Sequence, residues 1–299
     1  MTCRNGPQAA SESPRLETLA ACPLCDAPGP LDAPVQPQPP FGLRQCGACG
    51  IVFVSPRPAS ATTKAYYDTL YHDAADQQSP RQARRAQRHV SRLVRYAPRP
   101  GRLLEVGAGD GYLLNAARAA GWQVEGLELS QPRVARAKEW FGLTLYCCEL
   151  AALPFAPASF DALSMMQLLE HLHDPRAALK RAGELLRPGG VLILSTPNVL
   201  AYGRKKRDVS TWQIPQHLFF FSPRTAVNAV ESAGFTVVRR ALRFFAAVEK
   251  RLHWEPWPAG ALLARATRDL CTPFGLYLVA RKAEEQAVRK TEPRGHFGF

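Results

Sequence analysis

The sequence contains no long apolar run. Its longest apolar stretches, such as residues 191–194, have the length of a strand, whereas a membrane-spanning helix needs about 20 consecutive apolar residues. The N-terminal residues also lack the apolar core of a secretory signal. These absences exclude a membrane-spanning protein and argue against secretion, so we expect a cytoplasmic protein.

Acidic residues are also scarce. The 299-residue chain has 25 Asp and Glu against 38 Lys and Arg, which gives a formal net charge of +13. Such a surplus favours acidic partners, namely phosphates, nucleic acid, acidic glycans or an anionic membrane surface. The hydrophobic fraction of 46% is ordinary for a globular protein, and the length predicts one or two domains with a sizeable core.

Four of the eight cysteines are arranged as two pairs. Cys22 and Cys25 form the first C-x-x-C unit, and Cys46 and Cys49 form the second. In a reducing cytoplasm this pattern indicates metal ligation rather than disulfides. Four thiolates complete a tetrahedral Zn2+ shell, so the ion would be structural and would hold together a proline-rich segment with few apolar residues. A redox pair or unrelated free cysteines are the alternatives.

Apolar strands alternate with amphipathic helices from Gly101 onward. This alternation predicts an α/β fold whose parallel-type sheet is covered by helices on both faces. The expected strands are residues 102–106, 123–129, 143–148, 160–166, 191–195, 236–242 and 275–281. The chain then divides into a disordered leader (1–20), a zinc-ribbon-like segment (21–60), a helical connector (61–100), an α/β domain (101–282, with an insertion at 244–273) and a charged tail (283–299).

The first predicted strand of the α/β domain runs into a glycine loop. Gly107, Gly109 and Gly111 alternate in the sequence, and a helix is expected directly after them. Glycine lets the backbone turn sharply and lets a ligand approach the main chain, and a helix N-terminus favours an anionic or polar group. In open α/β sheets, ligands bind beyond the carboxyl ends of the strands, so this loop is the expected binding site.

Two acidic residues accompany the loop. Glu128 ends the second strand at a distance of 128−107 = 21 residues from the first glycine, near the spacing of about 20 at which a carboxylate meets a ribose in nucleotide-binding folds. Glu105 ends the first strand and would suit a cationic ligand, although it could instead be a structural carboxylate of the loop. The glycine spacing is G-x-G-x-G, which differs from the dinucleotide pattern G-x-G-x-x-G.

The stretch LLEVGAGDGY (103–112) resembles motif I of the class I S-adenosylmethionine (SAM)-dependent methyltransferases. The resemblance covers residues 101–282, through ELAALPF (149–155), SFD (159–161), LEHLHDP (169–175), LRPGG (186–190), STPN (195–198), HLFFFSP (217–223) and AGF (233–235). The cysteine region with GIVFVSPRP (50–58) is similar to a bacterial subgroup that modifies sugars, glycans and secondary metabolites. The resemblance implies a Rossmann-like, seven-stranded methyltransferase sheet.

The resemblance also implies roles for individual residues. The methionine end and the sugar of SAM would meet the glycine loop, the ribose would meet the acidic residue after the second strand, and adenine would meet the segment after the third. The methionine end and the sugar would be bound by Glu105, Gly107, Gly109 and Gly111. The ribose hydroxyls would be bound by Glu128, adenine would contact Glu149 and Leu150, and Gln167 would lie beside the methyl donor.

Histidines are the natural bases for a substrate that must lose a proton before methyl transfer. His217 is favoured because its loop would face the substrate, with a loop-anchoring histidine as the equal alternative. For His171 a structural role is favoured, because Glu170 and His171 are expected to begin a helix. The quinone O-methyltransferases have Glu-x-x-Glu-His at this place and are associated with a metal, but Gln167 replaces the first carboxylate here, which argues against a catalytic divalent metal.

The sequence therefore predicts a SAM-dependent enzyme that methylates a small molecule or a saccharide. A phosphate-bearing substrate is favoured by the basic residues 204–207, and an arginine-rich helix over 81–95 could also contact phosphates, although a solvated helix face is the simpler interpretation. The alternative is an rRNA or tRNA methyltransferase, because a zinc ribbon with a high positive charge also suits nucleic acid. A non-catalytic scaffold with a methyltransferase fold is a third possibility.

Overall fold

The computed structural model describes residues 15–33, 37, 39–60, 77–199, 212–238, 271–272 and 275–283. The helix expected around 62–71, the basic residues 204–207 and most of the leader, of the insertion and of the tail lie outside these residues. Within the described part of the chain, no helix combines the length and the apolar character needed to cross a bilayer.

The described elements are numbered in chain order. The strands are β1 (Leu16–Glu17), β2 (Leu31–Asp32), β3 (Leu43–Gln45), β4 (Val52–Val54), β5 (Arg57–Pro58), β6 (Arg102–Val106), β7 (Gln123–Leu127), β8 (Phe160–Met166), β9 (Leu186–Pro197), β10 (Phe219–Phe220), β11 (Phe235–Val237), β12 (Cys271–Thr272) and β13 (Gly275–Lys282). The helices are α1 (Pro80–Tyr96), α2 (Tyr112–Ala119), α3 (Gln131–Phe141), α4 (Pro175–Leu185) and α5 (Pro223–Ser232).

The central sheet has the order β11-β13-β9-β8-β6-β7, and β12 pairs with β13 to make seven described strands. Strands β6 to β9 are parallel to one another, whereas β13 runs antiparallel to both of its neighbours, β9 and β11. Neighbouring residues of β6 enter different cores: Leu103 packs with α1 and α2, and Leu104 packs with the core that includes α4 and α5. The predicted α/β sheet with both faces covered is confirmed.

One predicted strand is wrong. Residues 143–148 make only a single bridge, between Tyr146 and Leu127, and the seventh strand is β12, which lies in the predicted insertion. Leu143 and Leu145 are buried in the core on the α1–α2 face. The apolar residues that suggested a strand therefore pack in the core, but their backbone does not form a continuous ladder of hydrogen bonds with a neighbouring strand. Periodicity alone does not separate a strand from such a buried segment.

The N-terminal segment shares a sheet with the rest of the chain. Its strands β2, β3 and β4 continue into β10, which comes from residues more than 160 positions later (219−54 = 165). Phe219 is paired with Phe53, and the N–H of Val54 donates to the carbonyl of Leu218 at 2.9 Å. Because Phe53, Phe219 and Leu194 lie in one hydrophobic core, the cysteine-bearing segment packs directly against the α/β part.

Candidate active site

The glycine loop joins β6 to α2 in a conformation that other residues rarely adopt. Gly107, Gly109 and Gly111 have φ values of 71°, 56° and 84°, which lie in the left-handed region. A Cβ atom on Gly107 would lie 2.9 Å from Leu168 Cδ1, and one on Gly109 would lie 3.3 Å from Arg133 Nη1. The loop therefore needs glycine both for its backbone and for the close approach of its neighbours.

Glu128 holds this loop in place. Its Oε2 accepts the N–H of Gly109 at 2.8 Å, and its Oε1 accepts the N–H of Ser130 at 3.0 Å. A carboxylate oxygen accepts more than one hydrogen bond, so each oxygen keeps acceptor capacity. The residue is almost fully buried, with 9% of its surface exposed. The structure thus brings two of the predicted binding elements, the loop and Glu128, into direct contact.

Glu105 lies buried in β6, two residues before the loop begins. Burial, together with the negative charge of Glu128, raises the pKa of Glu105 well above its usual range, while a hydrogen bond from the backbone of Leu114 opposes this rise. Its Oε2 makes no hydrogen bond within the described residues. A buried carboxyl oxygen in this state is costly, and a cationic ligand group would compensate it.

The other predicted contacts occupy different parts of this edge. Glu149 is exposed and precedes a 3-10 turn at Leu150–Ala152, in which Leu150 is buried. Gln167 follows β8 with a φ of 53°, an uncommon value for a residue other than glycine. Its N–H donates to the carbonyl of Ser195 at 2.8 Å, and its Nε2 donates to Ser195 Oγ at 3.1 Å. Gln167 therefore links the carboxyl ends of β8 and β9.

The two candidate histidines lie against each other. The rings of His171 and His217 make a T-shaped contact with centroids 4.8 Å apart. Burial lowers the pKa of both rings, to about 4 for His217, where the proximity of His171 adds to the effect. Both imidazoles are therefore neutral near pH 7. His173 lies apart from them, since its Nε2 is 2.9 Å from the carbonyl of Pro58.

Two further site residues escaped the sequence analysis. Glu170 is fully buried beside both histidines, and burial raises its pKa to about 8. Arg133 reaches from α3 to the glycine loop, and its positive charge also contributes to lowering the pKa of His171. The sequence signals for Glu170 were its position next to His171 and its place as the second carboxylate of the Glu-x-x-Glu-His pattern, whereas Arg133 resembled any basic residue of a helix.

The four paired cysteines converge as predicted. Cys22 Sγ lies 3.7 Å from Cys49 Sγ, and Cys25 Sγ lies 3.5 Å from Cys46 Sγ. These separations are too long for disulfides, whose sulfur atoms are about 2.05 Å apart. Zinc–sulfur bonds of about 2.3 Å in a tetrahedron place the sulfurs about 3.8 Å apart. The two measured separations are close to this value, and all four sulfurs lie within 4.8 Å of one another, so the four cysteines could hold a zinc ion.

Comparison with known proteins finds one matching family, described as a methyltransferase domain, over residues 78–240, more than half of the chain. A ubiquinone biosynthesis O-methyltransferase of Idiomarina loihiensis is 33% identical over 117 residues, which are 37% of this chain and 45% of the relative. The enzyme of the same name from Xanthomonas campestris pv. campestris (strain B100) is 31% identical over 163 residues, 48% of this chain and 67% of the relative. The chain thus spans about half to two thirds of the length of these relatives.

A solved structure extends the comparison to the fold. It is a 1,6-didemethyltoxoflavin-N1-methyltransferase of Burkholderia thailandensis with bound substrate and S-adenosylhomocysteine (SAH). It has a TM-score of 0.53 and 20% identity, and the match covers 83% of this chain and 97% of that one. At this identity the likeness shows a shared fold.

Proposed function

Because the chain belongs to the methyltransferase domain family, we propose that it is a SAM-dependent methyltransferase acting on a small molecule or a saccharide. One observation carries the proposal: the glycine loop is held by Glu128, whose carboxylate keeps acceptor capacity and whose charge acts on the buried Glu105. This combination of a close backbone approach and two carboxylates suits a cationic nucleoside.

The residues at the loop fit SAM. Glu128 would accept hydrogen bonds from the ribose hydroxyls, and Glu105 would compensate the positive charge of the methionine end, which its unbonded Oε2 invites. Glu149 and Leu150 would meet adenine, and Gln167 would lie beside the methyl group. When bound, SAM supplies an electrophilic methyl group on a sulfonium, and the chain has to align a nucleophile with it.

The substrate class rests on relatives and on charge. The matched relatives act, by their names, in ubiquinone biosynthesis, and the enzyme of the solved structure is, by its name, a 1,6-didemethyltoxoflavin-N1-methyltransferase. Arg81, Arg84 and Arg88 are exposed on α1, where they would attract a phosphate-bearing or otherwise acidic compound. His171 and His217, neutral and adjacent, would handle the proton that the substrate loses.

We propose a structural role for the segment 21–60, with Zn2+ held by Cys22, Cys25, Cys46 and Cys49. The strand β10, which pairs with β4, begins two residues after His217. A zinc ion that stabilises β3 and β4 would therefore also stabilise the position of His217.

Calorimetric titration of the full-length protein with SAH tests the proposed activity. We expect a dissociation constant in the micromolar range, about −8 kcal/mol. NAD+ is the control ligand, and we expect no binding because the loop lacks the dinucleotide glycine spacing. A protein that binds no SAH would refute the proposal, and salt-dependent binding of RNA in place of small substrates would favour the alternative rRNA or tRNA activity.

A further inference from the structure

A group of polar side chains lies between helix α1 and strand β13, apart from the residues that the proposed function uses. Arg85 and His89 come from α1, and Tyr277 comes from β13. The rings of His89 and Tyr277 are stacked with their centroids 5.5 Å apart. Arg85 Nε donates to His89 Nε2 at 3.3 Å. The three side chains are therefore in contact with one another, and we call them the α1–β13 cluster.

The α1–β13 cluster lies at the same edge of the sheet as the glycine loop. Tyr277 is the register partner of Ser195, and residues directly opposite each other in antiparallel strands have their side chains on one face. Ser195 Oγ accepts the side-chain N–H of Gln167 at 3.1 Å, and Gln167 is the residue expected beside the methyl donor. Helix α1 also begins at this edge, because the N–H of Ser79 donates to the hydroxyl of Tyr112, the first residue after the loop. The cluster thus lies on the side where a methyl acceptor would bind.

Two hydrogen-bond donors of the cluster have no acceptor. Because His89 Nε2 accepts from Arg85, the neutral ring carries its proton on Nδ1. His89 Nδ1 and the Tyr277 hydroxyl are buried and make no hydrogen bond within the described residues; the two residues are 8% and 6% exposed. Burial lowers the pKa of His89 to about 4 and raises the pKa of Tyr277, so both groups are neutral donors near pH 7. Buried donors without a partner are rare and costly, and an oxygen of a ligand would satisfy them.

The charge around these two donors is positive. After burial, the groups that lower the pKa of His89 are the guanidinium groups of Arg85, Arg92 and Arg88. The guanidinium carbon of Arg92 also lies 4.7 Å from the centre of the Tyr277 ring, the position of a cation–π contact. A ligand oxygen that accepts from both donors would therefore be favoured if it carried a negative charge.

The carboxyl group that interacts with Arg85 does not neutralise this charge. Burial raises the pKa of Glu170 to about 8, although a hydrogen bond with Thr196 and the charge of Arg85 oppose the rise. Glu170 is therefore mostly protonated at pH 7, and Arg85 keeps an uncompensated positive charge toward it.

We propose that the α1–β13 cluster binds an acidic group of the methyl acceptor, a carboxylate or a phosphate. This inference rests on the proposed methyltransferase function and adds the substrate class, an acidic compound. Oxygens of the acid accept the N–H of His89 and the O–H of Tyr277, and Arg85, which is exposed, supplies the opposite charge where the acid enters. Hydrogen bonds to a charged oxygen are stronger than those to a neutral one, so the cluster selects acids over neutral compounds of the same shape. Because both donor atoms are covered, α1 has to shift slightly away from β13 to admit the acid.

Calorimetric titration with model acids tests this site. Full-length, zinc-loaded protein is saturated with SAH and then titrated separately with benzoate, phenyl phosphate and benzamide. Benzamide has the shape of benzoate without its charge, so it is the neutral control. We expect one of the acids to bind about tenfold or more tightly than benzamide, since each hydrogen bond to a charged group contributes more than a neutral one. The acid that binds better identifies the recognised group as a carboxylate or a phosphate.

Three variants assign the binding to the cluster. Tyr277→Phe removes one hydroxyl and keeps the stacked ring, and Arg85→Gln removes the charge that contacts His89. We expect each to bind the acid about fivefold or more weakly than the wild type, with benzamide unchanged. Arg95→Gln is the matched control, because Arg95 is exposed on the same helix and its replacement changes the net charge equally; it should bind the acid as the wild type does. Circular dichroism establishes that each variant is folded, and Arg85→Gln alters an exposed side chain, so it serves even if Tyr277→Phe does not fold.

Several results would overturn the acid site. These are acids that bind no more tightly than benzamide, unchanged acid affinity in the folded Tyr277→Phe and Arg85→Gln variants, and an equal loss in Arg85→Gln and Arg95→Gln, which would indicate an effect of net charge alone. SAH calorimetry without acids tests the cofactor site separately. Protein that binds SAH but no acid would refute the acid site alone, whereas protein that binds an acid through Tyr277 but no SAH would support the acid site and refute the methyltransferase proposal.

Discussion

Replacing Glu128 with glutamine gives the sharpest test of the cofactor site. The wild-type carboxylate accepts the N–H of Gly109 with one oxygen and the N–H of Ser130 with the other. Glutamine has the same shape but only one acceptor oxygen, so one of these N–H groups would face an NH2 donor. The change therefore removes a charged acceptor both from the loop and from the expected ribose contact.

The size of the effect follows from these bonds. A hydrogen bond to a charged group contributes about 1.5 to 3 kcal/mol, and Glu128 is almost fully buried, so solvent screens it little. One such bond lost from the ribose corresponds to about a 10- to 150-fold weaker SAH affinity. The loss of the loop contact should also lower the free energy of unfolding by about 1 to 3 kcal/mol.

Calorimetric titration with SAH measures the first effect, and urea unfolding measures the second. Glu125→Gln is the control, because Glu125 lies three residues earlier, within β7, but pairs with Arg102 at 3.5 Å, with 30% of its side chain exposed. We expect this control to bind SAH within about twofold of the wild type, since partly exposed ion pairs contribute little. Equal SAH affinity in Glu128→Gln and wild type would refute the assigned role of this carboxylate.

Three further predictions follow. Cys46→Ser should lose zinc and lower the melting temperature much more than Cys147→Ser, because the paired cysteines lie in the core shared with the α/β part; equal melting temperatures would contradict the structural role. The raised pKa of Glu105 means that the folded protein keeps a proton that unfolded glutamate loses near pH 4.5. The contribution of Glu105 to the free energy of unfolding therefore falls as the pH rises from about 4.5 to the pKa of Glu105 in the folded protein. SAM binding should release that proton, which calorimetry in buffers of different ionisation enthalpy measures, and Glu105→Gln should abolish the release. Burial lowers the pKa of His89 from 6.5 to about 4, so the unfolded chain takes up a proton at a higher pH than the folded protein does. The free energy of unfolding should therefore fall as the pH drops from 6.5 to about 4. Urea unfolding measured over this pH range should show a smaller fall for His89→Gln than for the wild type.

Elements with strong local signals were predicted closely. The arginine-rich helix expected over 81–95 is α1, which begins after the N-cap Ser79, whose side chain accepts the N–H of Gln82. Its buried face is Ala86, His89, Val90 and Leu93, which recur at steps of three and four. The strand predicted at residues 143–148 was wrong because an apolar run indicates burial but does not specify hydrogen-bond partners.

The residues of the candidate site also differ in how well they could be predicted from the sequence. The glycines and Glu128 could be predicted because a strand, a tight turn and a helix that follow one another need these residue types at this spacing. The cysteine pairs were recognisable because each C-x-x-C unit is itself a ligand-bearing turn. Glu170 could not be identified as a site residue, since nothing near it in the sequence shows that its carboxyl group is fully buried beside two imidazoles.

Features that depend on residues close along the chain could be inferred without the fold: the glycine loop, the helix boundaries and the two cysteine pairs. Backbone preferences and helix capping act over only a few residues, so a short stretch of sequence is enough to recognise them. Contacts between distant segments became visible only in the folded chain: β10 completes the sheet of the N-terminal segment, and Glu170 and His171 meet His217. Those contacts join residues 46 or more positions apart (217−171 = 46), and they form because packing of the shared core brings the two segments together.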